Sequence, residues 1–252
     1  MKRTVLSSGV STAGSGAKDR GVQESRTIVL TYLGLAAALF AMASVVWTYR
    51  NRLPEGQAAQ TPVWRAFELL RQKRFAFGAL GIFLYVGGEV AIGSVIVNFL
   101  MQANVLGLSA RNAGELVPLY WGGAMVGRFI GAYILGLCSP GKVLASAAAA
   151  VILLLALAGV STGAVSGGAL LAIGLFNSIM FPTIFALASE GLGRRAHEGS
   201  GIICVAITGG AIVPLIMGHA ADAAGLHAAL AVPAACYGGI VAFGIYARRR
   251  LA

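Results

Sequence analysis

Seven stretches of the chain each run for about twenty mostly apolar residues, at 27–48, 76–101, 113–137, 142–161, 167–189, 200–221 and 229–247. About twenty such residues carry an α-helix across the hydrocarbon core of a bilayer, and in lipid every backbone N–H and C=O must be satisfied within the segment. The expected fold class is an all-α membrane protein with seven transmembrane helices. Composition agrees, because 58% of the 252 residues are hydrophobic and 11% charged, against about 25% charged in soluble domains.

The spacing of the segments divides the chain unevenly. Residues 1–26 are basic and Ser/Gly-rich, with no apolar stretch of signal-peptide length, and read as a disordered tail. A lone helix at 27–48 follows, then a basic polar loop at 49–75 containing Pro54 and Pro62. Short turns join the six segments of 76–247, which read as one bundle, and 248–252 is a basic tail. The net charge of +10 comes from residues between apolar segments, with no basic helix or aromatic-interleaved basic stretch, so nucleic acid is excluded as a partner.

Charge in the connections also sets a topology. Arg50, Arg52, Arg65, Arg71, Lys73 and Arg74 crowd the long loop, and later alternate connections carry Lys142, then Arg194 and Arg195, then Arg248 to Arg250. By the positive-inside rule these face the cytoplasm, in the inner membrane of a cell, and so does the C-terminus. Seven crossings then put the N-terminal tail outside, although it holds Lys2, Arg3, Lys18, Arg20 and Arg26. That conflict leads to the expectation that the chain does not begin where its fold does.

Two charges lie deep inside apolar segments, well away from their ends. Glu89 sits near the middle of its helix, where a charge costs about 2.5–3.5 kcal/mol, so it should face a bundle interior, a cavity or a partner. Arg128 lies about nine residues, or roughly 13 Å, from the cytoplasmic end of the third segment and needs a carboxylate. Glu89, roughly 6 Å deeper, and Glu190, roughly 12 Å shallower, are the two candidates for a charge pair, either static or broken and formed in gating. Gly122, Gly123, Gly127 and Gly131 lie at helix-packing spacing. Pro182, Gly209, Gly210 and Pro214 mark places where helices can be interrupted, exposing backbone groups to a ligand.

Several chemistries are excluded. A retinal Schiff base needs a lysine within a helix, and Lys2, Lys18, Lys73 and Lys142 all lie in the tail, a loop or a helix start. The sequence has no HExxH, GxSxG or phosphate loop, so an enzyme is not expected. Cys138, Cys204 and Cys236 lack metal or disulfide spacing and read as packing residues; His219 and Asp222 are too few for a metal site. No cofactor and no metal are expected.

Four strings carry a family resemblance: Tyr-Val-Gly-Gly-Glu-Val-Ala-Ile-Gly-Ser (85–94), Tyr-Trp-Gly-Gly-Ala-Met-Val-Gly-Arg-Phe-Ile-Gly (120–131), Leu-Phe-Asn-Ser-Ile-Met-Phe-Pro-Thr-Ile-Phe (175–185) and Gly-Gly-Ala-Ile-Val-Pro-Leu (209–215). Together, in consistent order over about 27–247, they resemble the second half of the fucose permease and glucose/galactose branch of the major facilitator superfamily. The resemblance implies twelve helices in two six-helix halves around a cavity, with the last six segments here as the C-terminal bundle and 27–48 like the sixth family helix. It implies monosaccharide transport, with a proton as the coupling partner, by a half-length, split or truncated transporter. A missing N-terminal half or a second copy of the chain would complete it; the alternative is an inactive fragment or scaffold. In that frame Glu89, Asn98, Asn177, Tyr85 and Trp121 are the candidate sugar-binding residues, with Tyr120 as a further aromatic surface. Interhelical hydrogen bonding for the asparagines, and lipid or core packing for the aromatics, are the competing readings.

Overall fold

The computed structural model describes residues 8–49 and 66–248, which belong to two compact units, 1–60 and 61–252. In the first unit the chain forms one helix, α1 (Ser8–Tyr49), whose apolar portion Val29–Tyr49 is 21 residues long, enough to cross a membrane. Residues 8–26 therefore carry helical backbone where a disordered tail was expected. No proline falls between Ser8 and Tyr49, and once the apolar turns exist each further residue extends the helix without the cost of a new nucleus. Ser44 and Thr48 donate back to the Phe40 and Ser44 carbonyls at 2.8 and 2.7 Å, so their hydroxyls are satisfied on an otherwise apolar helix. Residues 1–7, 50–65 and 249–252, with the expectations attached to them, lie outside the described residues.

In the second unit a 3-10 turn at Glu68–Arg71 leads into α2 (Lys73–Met101), followed by α3 (Ala110–Leu137), α4 (Pro140–Val160), α5 (Gly163–Asn177), α6 (Met180–Ser189), α7 (Ala196–Ala206), α8 (Gly209–Ala224), α9 (Leu226–Ala229) and α10 (Ala231–Arg248). The pairs α5–α6, α7–α8 and α9–α10 continue one another as composite crossings of 27, 29 and 23 residues. With α1 this gives the seven expected crossings, all helical and with no strand among the described residues. Six of them are long and apolar enough to span a membrane by composition alone. The other, α3, is 28 residues long, and Arg128 and its glycines make it more polar.

The crossings of this unit begin two to four residues before the apolar segments do. The reason is capping. Ser109 accepts from the Asn112 N–H at 3.3 Å to start α3, and Pro140 opens α4, and neither residue belongs to an apolar run.

Bringing apolar helices together in lipid gains little from the hydrophobic effect, so close fit has to hold the bundle. α2 packs against α3, α6, α8 and α10, while α5 packs against α3 and α4, and α4 also meets α10. The α3–α5 contact shows how the fit is achieved. A Cβ on Gly127 would overlap the Leu175 carbonyl, and one on Gly174 would overlap the Tyr120 carbonyl, so the two backbones touch where both residues are glycine. That contact brings α3 against the point where the α5–α6 crossing is interrupted.

Candidate functional site

The α5–α6 crossing breaks at Ser178 and Ile179, inside the bundle. Pro182 supplies the local cause: it has no N–H, and its ring collides with the carbonyl four residues back, which is that of Ser178. The freed Ser178 carbonyl is taken by Arg128, whose guanidinium Nη2 donates to it at 3.5 Å from α3. The neighbouring Asn177 carbonyl is taken by the Tyr85 hydroxyl of α2 at 3.0 Å. Thr183 turns back onto the Ile179 carbonyl with its hydroxyl, at 2.6 Å. Each carbonyl at the break thus finds a donor, as a buried polar backbone must.

The Asn177 side chain organises the rest. It is 0% exposed; its Nδ2 donates to the Tyr120 hydroxyl at 2.9 Å, and its Oδ1 accepts from the Tyr237 hydroxyl at 2.8 Å. Three tyrosines from α2, α3 and α10 therefore converge on one residue at the end of α5. Both functional groups of the amide are used internally, which matches the interhelical reading of Asn177. Tyr237 was not singled out by the sequence; the available signal is that a tyrosine in an apolar helix needs a partner for its hydroxyl.

Glu89 lies one helical turn from Tyr85 on the same face of α2 and is half-buried. That spacing puts its carboxylate on the side of α2 that carries Tyr85, and the positive charge of Arg128 acts on it. Among the described residues, Glu89 and Arg128 form no ion pair, and Arg128 is exposed. Glu190, the other partner proposed for Arg128, is paired with Arg74 of α2, whose Nε also donates to the Leu187 carbonyl at 2.9 Å. The Arg128–Glu190 pair is therefore corrected: the cation nearest Glu190 comes from the start of α2, which packs directly on α6.

The remaining candidates are less convergent. Trp121 is 55% exposed, and its ring stands edge-on to Tyr120 at 5.3 Å. Asn98 is exposed and stands nine residues from Glu89, about half a turn out of phase on the helix, so the two are not on one face. The structure brings together Glu89, Tyr85, Asn177 and Arg128, with Tyr120 and Tyr237, and leaves Asn98 apart. Chemically the group offers one carboxylate, one guanidinium and an aromatic edge at the rim of a broken helix, a set suited to hydroxylated or charged small molecules.

A scan of family models finds no match. Over 173 residues, or 69% of the chain, the sequence is 52% identical to a glucose/galactose transporter of Brucella abortus biovar 1 (strain 9-941), of which it covers 42%. A putative glucose/galactose transporter of Helicobacter pylori (strain J99) is 44% identical over 170 residues, 68% of the chain and 41% of that protein. The L-fucose-proton symporter of Escherichia coli (strain K12) is 34% identical over 180 residues, 69% and 40% respectively. The chain thus spans about two fifths of the length of the curated relatives it matches. Among solved structures, the major facilitator superfamily transporter FucP in its outward conformation aligns with a TM-score of 0.71 at 30% identity, covering 77% of this chain and 47% of that one.

Proposed function

The chain is homologous to the glucose/galactose and fucose transporters of the major facilitator superfamily and carries part of their fold, and on that premise we propose that it takes part in moving a monosaccharide of the fucose, glucose or galactose class across the inner membrane. The proposed mode is proton symport by alternating access, with a second six-helix bundle, either an N-terminal half or a second copy, facing this one. The carrying observation is Glu89, a half-buried carboxylate beside a broken helix, with Arg128 near it but not ion-paired to it. A carboxylate so placed can accept hydrogen bonds from sugar hydroxyls, exchange a proton, or do both in turn.

The chemistry assigns roles. Glu89 accepts from the sugar, Trp121 offers an aromatic face at the rim, and Arg128 balances the carboxylate when it is charged. Asn177 holds the frame and does not touch the sugar, because its amide is already spent on Tyr120 and Tyr237. The C-terminus faces the cytoplasm in this reading, which a reporter fusion at the last residue tests.

The deciding experiment reconstitutes the chain in vesicles with and without a matching N-terminal bundle and measures uptake of labelled glucose, galactose and fucose under a proton gradient. Sugar-specific, gradient-driven uptake that Glu89→Gln removes supports the proposal. Uptake unchanged by Glu89→Gln would sink it. A second reading follows from the length: a chain spanning two fifths of its relatives is a scaffold or an inactive fragment if it neither binds sugar nor transports with any partner bundle.

A further inference from the structure

Tyr85 ties α2 directly to the α5–α6 break. Its hydroxyl donates to the Asn177 carbonyl at the α5–α6 break at 3.0 Å, and Glu89 stands one helical turn further along the same face of α2, from where a carboxylate can reach the same hydroxyl. A tyrosine has a single O–H hydrogen, so it can serve one of these acceptors fully at a time. An ionised carboxylate is the stronger acceptor, because charge-assisted hydrogen bonds are roughly twice as strong as neutral ones. A neutral carboxylic acid loses that advantage and leaves the hydrogen to the backbone carbonyl.

The surroundings favour a choice of this kind. Tyr85 is 3% exposed and its ring lies against Phe181 of α6, centroids 6.3 Å apart, so the hydroxyl has little freedom to find a third partner. The Asn177 carbonyl is at the end of α5, where the helix stops before Ser178 and Ile179, and the Tyr85 hydroxyl supplies its donor. The other ionisable groups acting on Glu89 are Arg128 and Tyr120 from α3 and Tyr237 from α10. Tyr120 and Tyr237 are engaged by Asn177, and Arg128 by Ser178. α6 contains no ionisable residue before Glu190, and α8 carries His219 and Asp222 only in its last six residues.

We propose that Tyr85 is a positioning residue whose hydroxyl is exchanged between the Glu89 carboxylate and the Asn177 carbonyl, so that the charge on Glu89 sets how firmly the α5–α6 break is held against α2. The tyrosine keeps its proton throughout; only the hydrogen-bond acceptor changes. With Glu89 neutral, α2 and the break are tied together. With Glu89 ionised, the tie is released and the break opens more often. The inference rests on the reading of Glu89 as the site's working carboxylate, and it supplies the two-state element that such a carboxylate needs if its charge is to move a helix.

The test uses the full chain in lipid nanodiscs and follows amide hydrogen exchange across 178–183 by mass spectrometry, corrected for the intrinsic pH dependence of exchange. The unmodified chain should exchange about three- to tenfold faster with Glu89 ionised than neutral, the size of one hydrogen bond. Glu89→Gln should hold the segment at the slow rate at every pH. Tyr85→Phe keeps the ring in place, and should make the segment exchange at one fast rate that no longer responds to pH. A Tyr85→Phe chain that still shows the pH-dependent change overturns the proposal, as does an unmodified chain with no such change. Galactose and fucose binding, read in parallel by equilibrium dialysis of the labelled sugars, separates the two ideas: Glu89→Gln binding sugar normally defeats the transport reading while leaving the exchange result to decide this one.

Discussion

Two regions of the helical bundle hold charged side chains that the fold treats differently. At the end where α2 begins and α6 finishes, Arg74 pairs with Glu190, while Arg195 reaches Glu198 at 2.7 Å and Glu68 at 3.8 Å. Halfway along α2 and α3, Glu89 and Arg128 stand near each other without closing an ion pair, Arg128 resting instead on a backbone carbonyl. The first region lies at helix ends and in turns, where each charge has a partner of opposite sign. The second lies where a charge is expensive, so leaving it unpaired needs a compensating use. The contrast separates charges closed into ion pairs from a carboxylate left without one, which is the charge the proposed transport uses.

The sharpest way to break this comparison is to neutralise one carboxylate from each region. Glu89→Gln in a two-bundle assembly should lower sugar uptake about ten- to a hundredfold, the worth of one or two charge-assisted hydrogen bonds. Glu190→Gln should leave uptake near that of the unmodified chain, and equal losses from both would erase the distinction. Next in size is the buried frame. Asn177→Leu strands the hydroxyls of Tyr120 and Tyr237 and should destabilise the bundle by about 2–4 kcal/mol, read from denaturant titration in detergent. Tyr237→Phe removes one of these bonds and should cost about 1 kcal/mol.

Gly127→Val tests the backbone contact that brings α3 to the break. It forces α3 and α5 apart and should cost about 1–3 kcal/mol in the same titration. The fastening pairs come lower. Glu190→Gln should change stability by less than about 1 kcal/mol, because the Glu190 side chain is 45% exposed and Arg74 keeps its bond to the Leu187 carbonyl, and added salt should shrink the effect further. Smallest of all, Asn98→Ala should alter sugar affinity by no more than about twofold, since Asn98 is exposed and off the Glu89 face. A tenfold loss there would move the binding surface to the other side of α2.

Much of the architecture was legible before any coordinates. The crossings could be read because a bilayer imposes a length and an apolar composition on each helix, while their ends were less legible: capping residues such as Ser109 precede the apolar run, and α8 continues to Ala224, past the expected 221. The break in α5–α6 was legible from Pro182, since a missing N–H is a local property. The break in α7–α8 falls at Ile207 and Thr208, just before Gly209 and Gly210. Partners were a different matter. Arg128 was matched to carboxylates by depth along the membrane, and depth fixes only one of three coordinates; Arg74, near Glu190 across the α2–α6 contact, took that partner instead. Asn98 stands apart from Glu89 for a related reason. Sharing a helix with Glu89 says nothing about sharing a face, and nine residues give about half a turn of difference.

By itself the sequence determined that this chain is a set of membrane-crossing helices, where two of them break, and that a carboxylate and a guanidinium stand deep among apolar residues. These follow from local chemistry, the hydropathy of a segment and the missing N–H of a proline. Only the tertiary structure decided that three tyrosines from three helices meet on Asn177, that Arg128 serves the carbonyl Pro182 left free, and that Glu89 keeps its carboxylate out of an ion pair. Those outcomes depend on which helix faces lie side by side, and in lipid that is set by the fit of glycine-lined backbones, which hydropathy does not encode.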